Sequence, residues 1–160
     1  MYTRQQVLEE SRAYFKGDEL AADVVTKYLL RDSEDNFLER NPDDMHRRLA
    51  RDFARIEKKY VNPMSEEEIY QLFKNFGDVV PQGSPMSGIG NKHQLQSLSN
   101  CFVIDSPKDS YGGILLTDQE QVQIMKRRGG VGFDISPIRP KDMATSNAAR
   151  TTDGIGVFLE

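Results

Sequence analysis

The sequence predicts an α/β fold, with a helical N-terminal region over residues 1–77 and alternating strands and helices over residues 78–160. Two observations lead to this prediction. In the first part, apolar residues recur at helical spacing between start and stop signals. In the second part, two short apolar segments flank a helical one, an order typical of a right-handed parallel crossover. A chain of 160 residues is long enough for one domain of typical size.

Capping signals mark the predicted helices of residues 1–77. Thr3 with Gln6, and Ser65 with Glu68, each form a capping box, so helices are predicted to begin after Thr3 and after Ser65. Another helix is predicted from the apolar spacing of residues 20–29. Four helices are therefore expected in this region, including the one described next.

The longest predicted helix begins where Asn41 precedes Pro42, because Asn is a preferred N-cap and Pro a preferred first helical residue. Two basic pairs near it, Arg47-Arg48 and Lys58-Lys59, are predicted to lie on a solvated helix face and are assigned no function. One apolar stripe of this segment is predicted to face the core: Met45, Leu49, Phe53, Ile56 and Tyr60.

The composition changes at Asp78. Residues 79–90 are too rich in Gly and Pro for a helix interior, so an ordered loop is predicted there. Buried strands are predicted at 101–104 and 131–135, with a helix between them that Thr117 and Glu120 cap and that ends near Arg128. Residues 141–152 are predicted to be a loop. Residues 154–160 are typical of a helix that has just begun, so the chain is expected to be a fragment or one piece of a split protein.

Composition restricts the classes of function. The net charge of −4 and the pI near 5.3 argue against a nucleic-acid surface, which needs an excess of Lys and Arg. No apolar run is long enough to span a membrane, and the start lacks the pattern of a signal peptide, so the cytoplasm is the expected location. One cysteine and two separated histidines provide no internal disulfide and no zinc-type cluster; no metal ligands are predicted.

Three motifs of the second part indicate a specific chemistry. Residues 97–104 place the only cysteine, Cys101, at the mouth of a strand, where α/β folds place reactive groups. Residues 127–133 form a Gly-rich bend that lets backbone approach a ligand, and residues 136–140 form a Pro-rich turn. In this order and spacing, the motifs resemble the N-terminal part of a ribonucleotide reductase large subunit, closest to its adenosylcobalamin-dependent class II branch.

The resemblance implies the first strands of a ten-stranded α/β barrel and a radical reaction that makes deoxyribonucleotides for DNA replication. Cys101 takes the place of the first of two redox cysteines beneath the substrate ribose. It would give a proton to the leaving 2'-hydroxyl and supply half of the dithiol that becomes a disulfide. On residue chemistry alone, a lone cysteine is more often a small buried core residue. The thiyl-forming cysteine and the second redox cysteine are absent, so this chain is expected to be inactive alone.

The resemblance also implies residues that line the substrate. Ser84 matches the hydroxyl residue of a substrate-phosphate loop, although a turn in which Ser84 bonds its own backbone is an equal alternative. Ser99, Asn100, Gly129 and Gly130 match positions around the ribose and base, and the two glycines would leave room for a ligand.

A regulatory site is implied as well. Asp109, Ser110 and Arg139 match positions that bind a deoxynucleoside triphosphate or ATP, next to a helix used in dimerisation. Arginine suits phosphate because its planar fork pairs with two oxygens. On residue chemistry alone, Arg139 is more often a surface charge.

The cofactor implied for the complete enzyme is adenosylcobalamin, held outside this segment. The implied partners are a ribonucleoside di- or triphosphate, the C-terminal remainder of the reductase, a second copy of the chain, and thioredoxin or glutaredoxin as reductant; neither nucleic acid nor membrane is expected. Two alternatives stay open: the large subunit of a class I reductase served by a metal-radical subunit, and a noncatalytic nucleotide-binding relic.

Overall fold

A computed structural model describes residues 1–158 of the protein. The chain divides into two compact units, Met1–Asn100 and Cys101–Glu160. The change in composition at Asp78 therefore does not coincide with the division between units, because residues 78–100 pack within the first. The second unit begins at the cysteine of the strand motif.

The first unit is helical. Its described helices are α1 (Arg4–Tyr14), α2 (Glu19–Val25), α3 (Pro42–Glu57), α4 (Glu66–Phe73) and α5 (Gly83–Gly88). A 3₁₀ turn over Lys74–Phe76 follows α4. Isolated antiparallel bridges join Phe37 to both Tyr2 and Arg31.

Three of the helix starts predicted from capping signals are confirmed. The Thr3 hydroxyl accepts a hydrogen bond from the Gln6 amide at 3.3 Å, and the Ser65 hydroxyl accepts one from the Glu68 amide at 3.2 Å. Both capping boxes are complete, since each third-position side chain also bonds back to the cap residue. The Asn41 side chain caps α3, with Pro42 as the first helical residue. Local sequence therefore determines where these helices begin.

The core of the first unit is centred on α3, which packs against α4. Met45 and Leu49 are fully buried, as the predicted stripe requires. The stripe is wrong farther along, because the side chain of Phe53 is 40% exposed and that of Tyr60, beyond the helix end, is 63% exposed. The small residues Ala50 and Ala54 complete the buried face instead.

Residues 79–90 are not wholly the loop that was predicted, because α5 forms within them. Gly83 is its first residue and Pro85 its third, and a proline in the first turn loses no helical hydrogen bond. A Cβ atom at Gly83 would lie 2.5 Å from the ring of Tyr28, and one at Gly88 would lie 2.7 Å from the side chain of Leu98. These glycines therefore allow α5 to pack closely against Tyr28 and Leu98.

The second unit contains β1 (Cys101–Val103), α6 (Tyr111–Met125) and β2 (Gly130–Gly132). β1 and β2 pair in parallel, with Cys101 opposite Gly130, which confirms the predicted parallel pair. The described residues thus combine helices with a two-stranded parallel sheet, consistent with part of an α/β fold.

Two details of the second unit differ from prediction. The predicted burial of the first strand is wrong: Cys101 is exposed and Val103 is 91% exposed, because no described element covers that face. The helix begins six residues before the predicted cap at Thr117, which is instead a buried residue inside α6. Ser110 is the true N-cap, and its hydroxyl accepts a hydrogen bond from the Gly113 amide at 3.1 Å.

Residues 141–152 form the predicted loop, which is closed by an antiparallel bridge between Ala144 and Thr151. A 3₁₀ turn follows at Gly156–Phe158 in the segment where a helix start was predicted, and residues 159–160 of that prediction lie outside the described residues. Within residues 1–158, no helix combines the length and the apolarity that crossing a bilayer requires.

Candidate functional site

Two of the predicted substrate residues meet inside the first unit. Ser84 is the second residue of α5 and is 3% exposed. Its backbone amide donates a hydrogen bond to the side-chain oxygen of Asn100 at 2.7 Å. The two residues are 16 positions apart, so this bond ties the start of α5 to the segment that leads into the cysteine motif.

Ser99, the third candidate of this unit, is exposed. Its amide donates to the hydroxyl of Ser97 at 2.9 Å, and that hydroxyl donates back to the Ser99 carbonyl at 2.9 Å. This reciprocal pair fixes the backbone just before Asn100. The Ser99 side chain stays on the surface, where a ligand can reach it.

In the second unit, the structure brings Cys101 beside Gly130 across the parallel pair. The thiol is free and exposed, unlike the buried core cysteine that residue chemistry alone favours. Exposure is compatible with a reacting group, because a thiol must be reached by its substrate and by its reductant.

Gly129 has a structural reason to be glycine. It is buried, and a Cβ atom there would lie 2.4 Å from the Ile124 side chain and 2.8 Å from the ring of Phe102. The requirement thus comes from the packing of α6 against β1, and not only from room for a ligand as the sequence suggested. Gly130, its neighbour, is exposed on the sheet.

The three candidate effector residues also meet in the second unit, where they line a cavity of about 280 Å³. Asp109 accepts hydrogen bonds from the Arg139 guanidinium and, at 3.3 Å, from the Arg139 amide. The bond from the Arg139 side chain is the main reason why the pKa of Asp109 lies below its usual value. Ser110 serves as the cap of α6 at the same place. The ion pair means that a bound anion must share Arg139 with Asp109.

The cavity also has residues that the sequence did not single out. Tyr111 and Phe158 contribute aromatic rings, with centroids 5.6 Å apart, and Thr145 and Asn147 contribute polar groups from the 141–152 loop. Thr145 and Asn147 lie within the loop that the bridge between Ala144 and Thr151 closes, and no local sequence pattern predicts that bridge.

Sequence reasoning missed one buried ionic group. Arg48 was predicted on a solvated face, but it is 8% exposed and pairs with Glu39, whose carboxylate oxygens lie 2.7 and 3.2 Å from its nitrogens. Arg48 also donates to the carbonyl of Met86 at 2.8 Å and to that of Ile89. This arginine therefore holds α3 to the segment around α5. Its role depends on partners up to 41 residues away, so the helical pattern could not reveal it.

Comparison with known families gives a match in the second half of the chain. Residues 99–160 match the family model described as the ribonucleotide reductase barrel domain, which covers less than half of the chain. The match begins at Ser99, at the Ser-Asn-Cys motif, and includes both strands and α6. It supports the resemblance to a ribonucleotide reductase large chain, an oxidoreductase of deoxyribonucleotide synthesis. No curated protein matches the chain.

Proposed function

We propose that this chain is the N-terminal part of a ribonucleotide reductase catalytic chain that reduces ribonucleoside di- or triphosphates to deoxyribonucleotides. The match of residues 99–160 to the barrel-domain family carries this proposal, because it includes the cysteine motif, the parallel strand pair and the Gly-rich bend together. We propose further that β1 and β2 are the first strands of a ten-stranded barrel, that the enzyme is of the cobalamin-dependent class, and that it acts in the cytoplasm.

The proposed chemistry gives Cys101 two tasks. After a thiyl radical removes the 3'-hydrogen of the ribose, the Cys101 thiol protonates the 2'-hydroxyl, which leaves as water. Cys101 and a second thiol then become a disulfide, and their two electrons, with the proton of the second thiol, put a hydrogen at C2' in place of the lost hydroxyl. The thiyl-forming cysteine returns the abstracted hydrogen to C3' and regains its radical, and thioredoxin or glutaredoxin reduces the disulfide for the next turnover. The exposed position of Cys101 at the start of β1 is what both steps need.

The substrate would be held by groups on both sides of the cysteine motif in sequence. Ser84 and Asn100, joined by their hydrogen bond, and the exposed Ser99 are proposed to face the ribonucleotide. Gly129 and Gly130 are proposed to line the ribose and base on the strand that pairs with β1. Asp109, Ser110 and Arg139 are proposed to bind the effector triphosphate.

Adenosylcobalamin would supply the radical that generates the thiyl group. In the second unit, the cavity lined by the candidate effector residues has a volume of about 280 Å³, and another, between Pro107, Thr117 and Phe133, has about 210 Å³. Both are too small to enclose a corrinoid. No residue of the second unit is therefore assigned to hold that cofactor.

The single cysteine restricts what the chain can do by itself. The thiyl-forming cysteine and the second redox cysteine must come from a further polypeptide segment. The same observation favours one alternative function, a noncatalytic nucleotide-binding module that retains only the effector site. Binding of dTTP, with no activity after every complementing segment has been added, would identify that alternative.

The proposal is tested by substituting Cys101 in an enzyme completed with a C-terminal segment that supplies the other cysteines. Cys101→Ser should abolish multiple-turnover reduction and leave ribonucleotide affinity nearly unchanged, because a hydroxyl fits the same space but cannot form a disulfide. The uncompleted 160-residue chain, given adenosylcobalamin and dithiothreitol, is the negative control and should reduce none of the four ribonucleotides. Near-normal turnover by the Ser variant would refute the role of Cys101.

A further inference from the structure

The first unit contains a large open cleft that the proposed reaction does not use. Its volume is about 990 Å³, at the upper end of the range for small-molecule sites. One wall is formed by α3, and the opposite walls are formed by residues 38–40, residues 63–66 and the segment of Gly90 and Lys92. None of the proposed substrate, effector or redox residues lines it.

The cleft is basic although the chain is acidic. Seven of its lining side chains are cationic and four are carboxylates, whereas the whole chain has a net charge of −4. A local surplus of positive charge within a concave surface attracts anions and raises their local concentration. The cationic residues of the lining are Arg40, Arg47, Arg48, Arg51, Arg55, Lys58 and Lys92.

The spacing of the cations on α3 places them on one face. Arg48, Arg51 and Arg55 follow one another at intervals of three and four residues, and Lys58 continues the series just after the helix end. Like charges at this spacing repel one another and destabilise an isolated helix. An anion bound along the row would remove that repulsion.

The carboxylates of the cleft neutralise only part of the row. The charge of Arg48 is fully engaged with Glu39, and Arg55 pairs with Asp52 at 2.9 Å. Arg51, by contrast, is 3.8 Å from the Glu66 carboxylate, beyond hydrogen-bond distance, and its side chain is 72% exposed.

Two lysines of the cleft are available to a ligand. In the part of the chain that the structure describes, neither the Lys58 nor the Lys92 side chain lies within ion-pair or hydrogen-bond distance of another residue. Together with Arg51, whose ion pair with Glu66 is long and exposed, they give three cations that can turn to the same ligand.

The wall of the cleft is preformed. Arg48 joins α3 to the carbonyls of Met86 and Ile89, while its partner Glu39 accepts the amide of Leu30 at 2.7 Å. Gly90 follows directly with a φ of +74°, and a Cβ atom there would lie 2.9 Å from the Arg48 side chain. A ligand that enters this cleft meets a shape that requires little ordering, which favours affinity.

We infer that this cleft binds an extended polyphosphate anion. From Arg51 to Lys58 the helix axis advances about 10 Å, so the available cations suit a chain of phosphates better than a single one. Arginine and lysine together suit such a ligand, since the fork of Arg51 can pair with two oxygens and the lysines add point charges. This inference is independent of the proposed reductase function, because it concerns different residues of the other unit.

The test is calorimetric titration of the purified 160-residue chain with inorganic triphosphate, carried out in an Arg139→Ala background so that binding at the proposed effector site is weakened. One saturable site is expected, with an affinity that falls as salt is raised. Arg51→Gln combined with Lys58→Gln should weaken binding about tenfold or more. Both side chains are exposed, so thermal unfolding should be unchanged by the two substitutions.

The matched control is Lys59→Gln, which removes the same charge from the residue next to Lys58 but outside the cleft lining. It should bind triphosphate as the parent does. The single variant Lys58→Gln is compared with it. If Lys59→Gln and Lys58→Gln weaken triphosphate binding equally, the binding reflects only general charge attraction and the inference is overturned. The absence of saturable binding would also overturn it.

A parallel titration with ATP identifies the source of the phosphate chain. ATP that binds at least as tightly as triphosphate, and is lost in the same double variant, would identify a nucleotide. ATP that binds more weakly than triphosphate would identify an inorganic polyphosphate. Either result supports the cleft as an anion site.

Discussion

His46 shows at the scale of one residue how burial changes chemistry. It is fully buried on α3, with its ring stacked on Phe73 and edge-on to Phe76 at a centroid distance of 4.5 Å. Neither ring nitrogen has a hydrogen-bond partner among the described residues. Burial lowers its pKa to about 4, and the nearby charge of Asp43 only partly opposes this shift.

The lowered pKa of His46 predicts how stability depends on pH. Between pH 6.5 and 4, the unfolded chain binds a proton at His46 that the folded chain does not, so the free energy of unfolding falls as pH falls through this window. The loss should be about 2 kcal/mol between pH 7 and 4.5. Chemical unfolding at several pH values measures it. His46→Leu, an apolar residue of similar size, should remove this part of the pH dependence.

The control for that measurement is His93→Leu, at an exposed position. It should keep the parent's loss of stability in acid, which also includes the contribution of the carboxylates. If His46→Leu and the parent lose the same free energy between pH 7 and 4.5, the buried ring is not the cause.

Local sequence patterns predicted the N-caps of three helices but not the buried ion pair of Arg48 and Glu39. Thr3, Ser65 and Asn41 were identified because a cap acts on amides two or three positions away. Arg48 and Glu39 were missed because their burial depends on α5, whose residues lie about 40 positions farther along the chain. A charged residue on a helix is usually solvated, and only tertiary structure shows the exception.

At the scale of elements, α6 shows why a capping box must be weighed against its alternatives. Thr117 and Glu120 have the right spacing for a cap, yet Thr117 is buried within the helix. The helix continues six residues before it, although its first turn contains Gly112 and Gly113, which have low helix propensity. The Ser110 cap offsets the low helix propensity of that first turn. Helix propensity alone could not have shown where α6 begins.

The Ser110 cap can be tested directly. Ser110→Ala removes the hydroxyl that accepts the Gly113 amide and should lower the free energy of unfolding by about 0.5–2 kcal/mol. Amide hydrogen exchange should become faster at Gly113. Ser106→Ala, the same change at an exposed residue of the preceding loop, should alter neither quantity. Unchanged protection of the Gly113 amide in Ser110→Ala would mean that another group caps α6.

The parallel pairing of β1 and β2 was predicted correctly, but the predicted burial of β1 was wrong. The parallel pairing could be predicted because a strand followed by a helix and a second strand almost always forms a right-handed parallel crossover. Burial could not follow from an apolar run, because the side chains that would cover Val103 belong to no described element. Exposed apolar residues on α6 show the same pattern: Tyr111, Leu115, Leu116, Val122 and Met125. These side chains fit the expectation, implied by the resemblance, that this helix contacts a second copy of the chain.

At the scale of the whole molecule, the proposed regulation requires that effector binding and substrate choice be coupled. The candidate effector residues come from separate parts of the second unit, since Asp109 and Arg139 are 30 positions apart and meet in one ion pair. Residue chemistry alone does not predict that these residues meet; the family resemblance does. Only the structure shows that a phosphate must compete with Asp109 for the arginine.

Arg139→Ala should therefore weaken dTTP binding in two ways. The variant loses a forked phosphate contact, which typically contributes about 1.5–3 kcal/mol, and it leaves the Asp109 carboxylate to repel the anion. The affinity should fall roughly tenfold to a hundredfold. Because coupling between binding sites is reciprocal, the same variant of the completed enzyme should also lose part of the effect of dTTP on substrate affinity. Lys126→Ala, the same charge change outside the cavity lining, is the control. If Arg139→Ala binds dTTP and selects substrates as the parent does, Arg139 is only a surface charge held by Asp109.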